Sequence, residues 1–551
     1  MSFLSTLQVE YGDKFLYTLG IAYFGLKGLT GSGIYALALP YYQQLLTADI
    51  ETYHRTILYV TFVWAAKPLF GLLSDHVPLW NYRKRNYVIG SGLLSGCAAI
   101  ALAVAEPRMA NFWFFFFIVV GIVFSDLLFE AKYSELMNAS ESQISGANII
   151  SYAWGLGMVG SAIGSLWGSQ MANNHQIQAA FYLLAIPPLL LAVNVYQNGM
   201  NESRREPRSI AKPPLVIIAL CLVAATLVSA VAVARLSSEV AVAVQLLCAA
   251  GLIYASLYWI PKLQGTETTM AQCNVFLFLA EITAVRLTGA TDYFFTADCP
   301  SGSGVGGIDP TPRFTYDFYL GWMPIVASVA GLLGVYAFTV YLQHLPLRYV
   351  FQGIAVVRVL LSGLEVWQAS RRNLGLIDDK LLFFISEGML SPVISMAYLL
   401  PLVAITSRMM PKGNEALSYG ILAGYQNFGQ SIANSIGLML IERAEIGSRC
   451  SFINYPFLVF VAHMLTPLVT IPLACFLVPT ISISKSKKEK SPVQASFMPQ
   501  ATMNAAFTKT SSSRLVSRPP RISSVSASSL EDQATDARPL TPLGGLLPQV
   551  E

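Results

Sequence analysis

Apolar residues along this chain gather into long, nearly unbroken runs set apart by short polar stretches. A helix that crosses a bilayer needs roughly 20 mostly apolar residues. Runs of that length fall near 16–42, 54–74, 87–105, 111–131, 146–172 and 178–197. A polar stretch from Gln197 to Pro213 follows, carrying Arg204, Arg205, Arg208 and Lys212, and then two more runs near 213–234 and 240–260. The last six lie near 272–293, 316–342, 347–366, 380–407, 414–442 and 454–478. The pattern predicts about 14 spanning helices and an all-α membrane protein. From Ile481 onward the chain turns Ser-, Pro- and Lys/Arg-rich. Such a segment buries too little apolar surface to fold, so 481–551 is expected to be a disordered tail.

Residues 67–87 fix position and orientation together. A run ends at Gly71 and Ser74, an acid follows at Asp75, then a Pro-containing turn, then Arg83, Lys84 and Arg85 where the next run begins. Cations at a membrane edge favour the cytoplasmic side. An even number of spans puts both termini there. The clusters at 83–85, 204–212 and 485–490 then all fall inside, the last against the anionic inner leaflet. Arg371 and Arg372 fall outside, which the rule disfavours: either they belong to a site or the 347–366 run is misplaced.

Composition supports lipid as the solvent. Of 551 residues 54% are hydrophobic and 12% charged, where soluble proteins average about 25% charged. The net charge of +4 is small and forms no basic face, which excludes nucleic acid as a partner. Seven cysteines are scattered; Cys299 and Cys450 fall in polar loops on the same, outer side. A bridge between them and two free thiols are both open. Met1 to Lys14 has no basic segment leading into an apolar run, so the first span is expected to serve as the targeting signal. With no organelle address read, the plasma membrane is the expected location.

The chain also carries an internal echo. Asp75, His76, Val77, Pro78 and Leu79 follow the second span. Gln343, His344, Leu345, Pro346 and Leu347 follow the second of the last six. Two six-span halves with a repeated loop are the pattern of a facilitator carrier. The expected organisation is a six-helix bundle at 1–197, a linker with two extra spans at 198–271, a second six-helix bundle at 272–480, and the tail.

Four blocks occur in order across nearly the whole chain except the tail. Lys67, Pro68, Gly71, Ser74 and Asp75 stand with Lys84, Arg85 and Tyr87. Ser125, Asp126, Glu130, Ala131 and Lys132 sit in the fourth run. Gly289 to Phe295 reads Gly-Ala-Thr-Asp-Tyr-Phe-Phe. Pro411 to Ala416 continues through Ala423, Gly424, Asn427, Phe428 and Gly429. Together they resemble the folate–biopterin transporter family of the major facilitator superfamily. The resemblance implies a major-facilitator-like fold, two six-helix bundles with two extra helices between them. It implies gating by Lys67, Gly71, Asp75, Arg83, Lys84, Arg85, Lys412 and Glu415. The family's fourth-span block usually carries a second aspartate where this chain has Glu130, and the longer arm bears on substrate preference. Family members carry folates, reduced pterins or other metabolites, so the resemblance does not name the cargo.

Ionisable groups in lipid cost about 2.5–3.5 kcal/mol each on insertion scales, so they face a cavity or a partner. Asp126 and Glu130, four apart, share a helix face. They are expected to share a proton and to accept the N–H fork of a pterin; the alternative is an ion pair with Lys132 or another helix. In the 272–293 run, Glu281, Thr288 and Asp292 share one face by 3.6-residue spacing and Arg286, Gly289 and Tyr293 lie along another. Arg286 could clasp a folate carboxylate or pair with Glu281. Tyr293, Phe294, Phe295 and Trp322 are either stacking surfaces for a flat ring or interface anchors. Arg358, Ser362 and Glu365 line one face and either meet a central cavity or neutralise one another. The candidate substrate-binding set is Asp126, Glu130, Glu281, Arg286, Asp292, Tyr293, Arg358 and Glu365.

The expected function is a secondary active transporter for folate- or pterin-type solutes, working by alternating access with protons as the coupling ion. The alternatives are the same carrier with another cargo, such as S-adenosylmethionine, or an integral membrane enzyme or receptor. Against an enzyme, four of the five histidines read as loop residues, and none has metal-ligand spacing with another. No phosphate-cradling Gly-Lys-Ser/Thr loop occurs, so no nucleotide and no cofactor or metal is expected.

Overall fold

Apart from a break inside 272–293, the apolar runs are helical almost throughout wherever the structure describes them. The computed structural model describes residues 3–139, 143–202, 213–264, 268–302, 307–342, 345–406, 415–446 and 450–478, all within one unit, 1–499. The basic cluster at 204–212, residues 343 and 344 of the repeated loop, Lys412 and the tail lie outside them. Among the described residues there is no strand beyond an isolated bridge between Leu79 and Tyr82. Ten helices there are long and apolar enough to cross a membrane.

A short helix α1 (Phe3–Tyr11) precedes α2, which runs over 13–45 and widens to π-type turns at Ile21–Thr30 and Tyr41–Leu45. Helix α3 (Ile50–His76) starts where the Asp49 carboxylate accepts the Thr52 N–H at 2.8 Å, and bends at Ala66 before Pro68. The first bundle continues with α4 (Arg85–Val104), α5 (Phe112–Ala139), α6 (Gln143–Asn173) and α7 (Ile177–Tyr196). The extra pair is α8 (Pro213–Arg235) and α9 (Ser238–Gln264). The second bundle holds α10 (Thr268–Thr283), α11 (Thr288–Thr296), α12 (Asp317–Leu342), α13 (Leu347–Ala369), α14 (379–406), α15 (Glu415–Arg443) and α16 (Tyr455–Leu477).

Helices α3 and α15 lie side by side and form the seam between the bundles. The extra pair covers one side of that seam: α8 packs on α3 and α15, and α9 on α15 and α10. Leu58, Phe62, Leu222, Leu252, Phe278 and Phe428 join these helices in one buried apolar cluster. Within the first bundle, α2 crosses α6 closely enough that a Cβ at Gly28 would lie 2.7 Å from the Gly157 carbonyl. The glycines of α6 thus serve packing, while Gly155 faces open space.

The 272–293 run is not one helix. The chain leaves helical form between Thr283 and Thr288, so 3.6-residue spacing does not carry Glu281 or Arg286 onto the faces of α11, where only Thr288 with Asp292 and Gly289 with Tyr293 remain one turn apart. Three residues from other helices occupy the joint. Ala433 accepts the Arg286 N–H at 3.4 Å, and Gly437 abuts the Arg286 carbonyl. His54 accepts the Gly289 N–H on Nδ1 at 3.1 Å, and its Nε2 lies 2.9 Å from the Asn434 carbonyl. One nitrogen accepts and the other faces an acceptor, so this imidazole is neutral with its proton on Nε2. His54 is a buried helix residue, not a loop residue, because the Asp49 cap starts α3 before the apolar run begins.

At the opposite edge from the 77–84 loop, Cys299 and Cys450 form a disulfide, with their Cα atoms 5.7 Å apart. It joins the segment after α11 to the segment before α16. The run at 347–366 is correctly placed. Arg371 is taken up locally: its Nη1 lies 2.9 Å from Asp379 Oδ1 and its Nε donates to the Asp309 carbonyl at 3.1 Å, while Arg372 is exposed.

The joint generates a test. A Cβ at Gly289 would lie 2.7 Å from His54 Cβ and 2.9 Å from the Ile50 carbonyl. Gly289→Val is expected to destabilise the purified protein by about 1–3 kcal/mol, read as a lower melting temperature in detergent. Gly353→Ala, on a helix with open space around it, is expected to raise the melting temperature slightly, by about 0.5–1 kcal/mol of stability.

Candidate functional site

Helix α5 brings Asp126 and Glu130 to one face, one turn apart. Two lysines from other helices meet them. Lys27 of α2 places Nζ 2.7 Å from Asp126 Oδ1. Lys67 of α3 places Nζ 2.9 Å from Asp126 Oδ2 and 3.5 Å from Glu130 Oε2. Two cations face two anions, so the cluster is neutral as built. Asp126 is 1% exposed and Lys27 23%. The Lys27 ammonium also lies over the Trp154 ring, 4.3 Å from its centroid, and Trp154 is exposed. The carboxylates are therefore held by ion pairs to neighbouring helices. Lys67, grouped by sequence with the gate, belongs to this cluster.

Lys27 was not singled out from the sequence. Its signal is present: a lone lysine inside an apolar run costs enough to demand a partner. What the sequence does not show is that the Ile21–Thr30 turn is widened. That geometry recurs at functional sites.

At the gate loop, Gly71 is buried in α3 and Asp75 crosses between bundles. The Asp75 carboxylate accepts the Leu417 N–H at 3.2 Å, which caps the start of α15, the helix that Glu415 opens. The cations are engaged within the first bundle. Lys84 Nζ lies 2.9 Å from Glu135, and an Arg85 guanidinium N–H donates to the Tyr196 carbonyl at 2.6 Å. The backbone N–H groups of Arg83, Lys84 and Arg85 all donate to the Glu202 carboxylate, at 2.8–3.3 Å. Glu202 thus caps α4 across a long sequence distance, which no local pattern reveals.

At the disulfide edge, Asp292 accepts two phenol protons: Tyr53 from α3 at 3.0 Å and Tyr319 from α12 at 2.7 Å. The buried Tyr293 donates to the Ala48 carbonyl at 2.9 Å. Gln43 donates to Thr296 at 3.0 Å and accepts from Tyr316 at 2.6 Å. Asp292 and Tyr293 are placed in a layer of hydrogen bonds that joins the two bundles at this edge. Deeper in the seam, Arg286 lies 3.8 Å from Glu281, whose other oxygen accepts from Gln426 at 3.3 Å. Phe294 stacks on Tyr455, while Trp322 is exposed.

Arg358, Ser362 and Glu365 do share a cavity, but it lies inside the second bundle. Its volume is about 210 Å³ and its walls come from α11, α12, α13, α14 and α16. Two acidic or basic residues not chosen from sequence sit beside them, Glu387 and His463. His463 Nδ1 is 2.5 Å from Glu365 Oε2. Among the described residues no group of His, Cys, Asp and Glu side chains could hold a metal ion.

Residues 27–496 match the BT1 family. This chain belongs to the BT1 family. It is similar to the folate-biopterin transporter of Synechocystis sp., 24% identical over 408 residues, 73% of this chain and 70% of that one. Probable folate-biopterin transporter 6 of Arabidopsis thaliana is 23% identical over 488 residues, 86% of this chain and 85% of that one. Among solved structures, a POT family transporter in complex with a thioalcohol-conjugated peptide superposes with a TM-score of 0.59 over 86% of this chain and 100% of its own, at 13% identity. An auto-inhibited POT family peptide transporter gives the same score at 14% identity, covering 88% of this chain and 100% of its own. At such identity the likeness concerns fold: the chain is a multi-pass membrane protein of the major facilitator type, with two six-helix bundles and an extra helix pair.

For this BT1 family member the charge cluster predicts non-additivity. Lys67→Met leaves one excess negative charge and Asp126→Asn one excess positive charge. Each is expected to cost about 3–5 kcal/mol, because removing one partner strands a buried charge. The double variant keeps Lys27 opposite Glu130, so its loss should be smaller than the sum by more than about 1 kcal/mol. Melting temperatures of the four proteins in detergent measure this, and simple additivity counts against the paired cluster.

Proposed function

We propose that this chain is a secondary active transporter that moves folate and pterin-type solutes across the plasma membrane by alternating access, in symport with protons. The names of its relatives and its fold support carriage of this cargo class. The observation that carries the reading is the neutral Lys27–Asp126–Lys67–Glu130 cluster, whose Lys27 is partly exposed beside the exposed Trp154. A folate presents a flat heterocycle and a carboxylate-bearing tail. The ring can stack on an indole face. A tail carboxylate can take Lys27 as partner while Lys67 keeps Asp126 paired.

Charge counting then favours symport. An anionic cargo added to a neutral cluster leaves net negative charge in a low-dielectric interior, which is costly. A proton taken up with the cargo restores neutrality. Asp292 with Tyr53 and Tyr319 at one edge, and Asp75 with the start of α15 at the other, are the contacts between bundles that would open in turn.

The test is uptake of labelled folate and biopterin by intact cells that lack their own transport, in acid and neutral medium. Both cargoes should enter, and the anionic folate faster in acid. Asp126→Asn should abolish uptake per molecule of protein at the cell surface. Lys27→Gln should raise the KM for folate by about tenfold, the loss of one charge-assisted hydrogen bond, and leave biopterin nearly unaffected. Uptake of neither compound, or normal folate uptake by Asp126→Asn, overturns the reading.

A further inference from the structure

The second bundle holds its own cluster of ionisable groups, and its composition differs from that of the first. Arg358 and Glu365 come from α13, Glu387 from α14 and His463 from α16. Glu365 meets His463 at 2.5 Å, and Glu387 lines the same cavity. Two carboxyl groups in one apolar-walled cavity repel when both are ionised, which favours one proton held between them. In the first bundle each acid has a lysine. Here two acids face one permanent cation, Arg358, and an imidazole that can be neutral.

We propose that Glu365 and Glu387 together form the proton-carrying site of this transporter, with His463 as the group that exchanges the proton and Arg358 as the fixed counter-charge. This rests on the transport reading above and deepens it by naming where the coupling proton sits. With one proton on the acid pair and His463 neutral, the cluster carries no net charge. When the proton leaves, one negative charge remains against walls formed by Phe294, Phe295 and Phe383. The proton passes between a carboxyl oxygen and His463 Nδ1, and no other bond changes.

Three further observations favour this site. Glu387 and His463 both lie on π-type turns, at Phe384–Leu390 and Phe460–Leu465, a geometry that recurs at functional sites. Glu365 and His463 are each about a quarter exposed, at 23% and 25%, so the cavity gives solvent access to the pair. The cavity also shares a wall with the seam. Tyr319 lines it and donates to Asp292, which also holds Tyr53 of the first bundle. A change of charge at the pair therefore acts one residue away from a contact between bundles.

The titratable and charged groups around the pair are Asp292 on α11, Tyr319 on α12, Arg358 on α13, and Tyr455 with His463 on α16. Tyr398 of α14 and Arg286 lie beyond Arg358. Tyr455 donates to Thr291, and the Tyr319 and Asp292 groups are bonded to each other. Glu365, Glu387 and His463 are the ionisable members that share this cavity with Arg358.

Infrared spectroscopy of the purified protein during a pH titration tests the site without any cargo. Wild type should show the carbonyl band of a protonated carboxylic acid at neutral pH. Glu387→Gln and Glu365→Gln should each remove that band, whereas Asp126→Asn should keep it. In cells, the same two variants should lose the stimulation of folate uptake by an inward proton gradient by about tenfold. His463→Gln should slow proton exchange and keep the band. Absence of the band in wild type, or its survival in both glutamine variants, overturns the proposal. Wild type that shows the band but takes up no folate overturns the cargo reading instead. The near-isosteric Gln variants on two different helices guard against a single folding failure.

Discussion

Among the described residues, Lys27, Lys67, Asp126 and Glu130, which lie among apolar helices, meet opposite charges from other helices. This is the constraint on which the rest depends. A membrane interior offers no water to solvate a lone charge, so an ion pair across helices fixes which helices must be neighbours. Lys27, Asp126, Lys67 and Glu130 tie α2, α5 and α3 into one unit. A short contact of His463 with Glu365 ties α16 to α13, and the Arg371–Asp379 ion pair holds the turn between α13 and α14. The same groups that specify the bundle are the ones available to bind charge or protons. Structure and chemistry are hard to separate here because a stable charge pair is also an exchangeable one.

The described contacts between bundles are mostly of another kind. Beside one ion pair, Arg55 of α3 with Glu442 of α15 at 2.9 Å, they are hydrogen bonds: His54 accepts from the Gly289 N–H and faces the Asn434 carbonyl, Tyr293 donates to the Ala48 carbonyl, and Asp75 accepts from the Leu417 N–H. A hydrogen bond contributes about 0.5–1.5 kcal/mol net, much less than breaking a buried ion pair costs. A molecule whose halves are internally stapled by buried ion pairs and joined mainly by hydrogen bonds and one more exposed ion pair can part at the seam before either half comes apart. The extra pair α8 and α9 holds one side of that seam with apolar packing, which has no directional bond to break.

Much of this was legible in the sequence. The helices were readable because lipid selects on hydrophobicity alone, so each run marks a helix. The fourth-run acids and the 67–87 loop stood out because charges next to apolar runs are costly. Less legible was the pairing. Lys27, Glu387 and His463 sit on widened turns that displace side chains from 3.6-residue spacing, so no periodicity placed them together. Asp292 was legible as a charged residue but not as the acceptor of Tyr53 and Tyr319, which are distant in sequence.

The sequence by itself determined the solvent, the helices, their order and the residues that must find partners, since each of these follows from local hydrophobicity and charge. Only the tertiary structure decided who the partners are. It broke the 272–293 run at 284–287 to fit Gly437 and His54, closed Cys299 on Cys450, and put Arg358 and Glu365 inside one bundle rather than between two. The reason is physical: the demand for neutrality is a property of a residue, but its satisfaction is a property of distances between helices far apart in the chain.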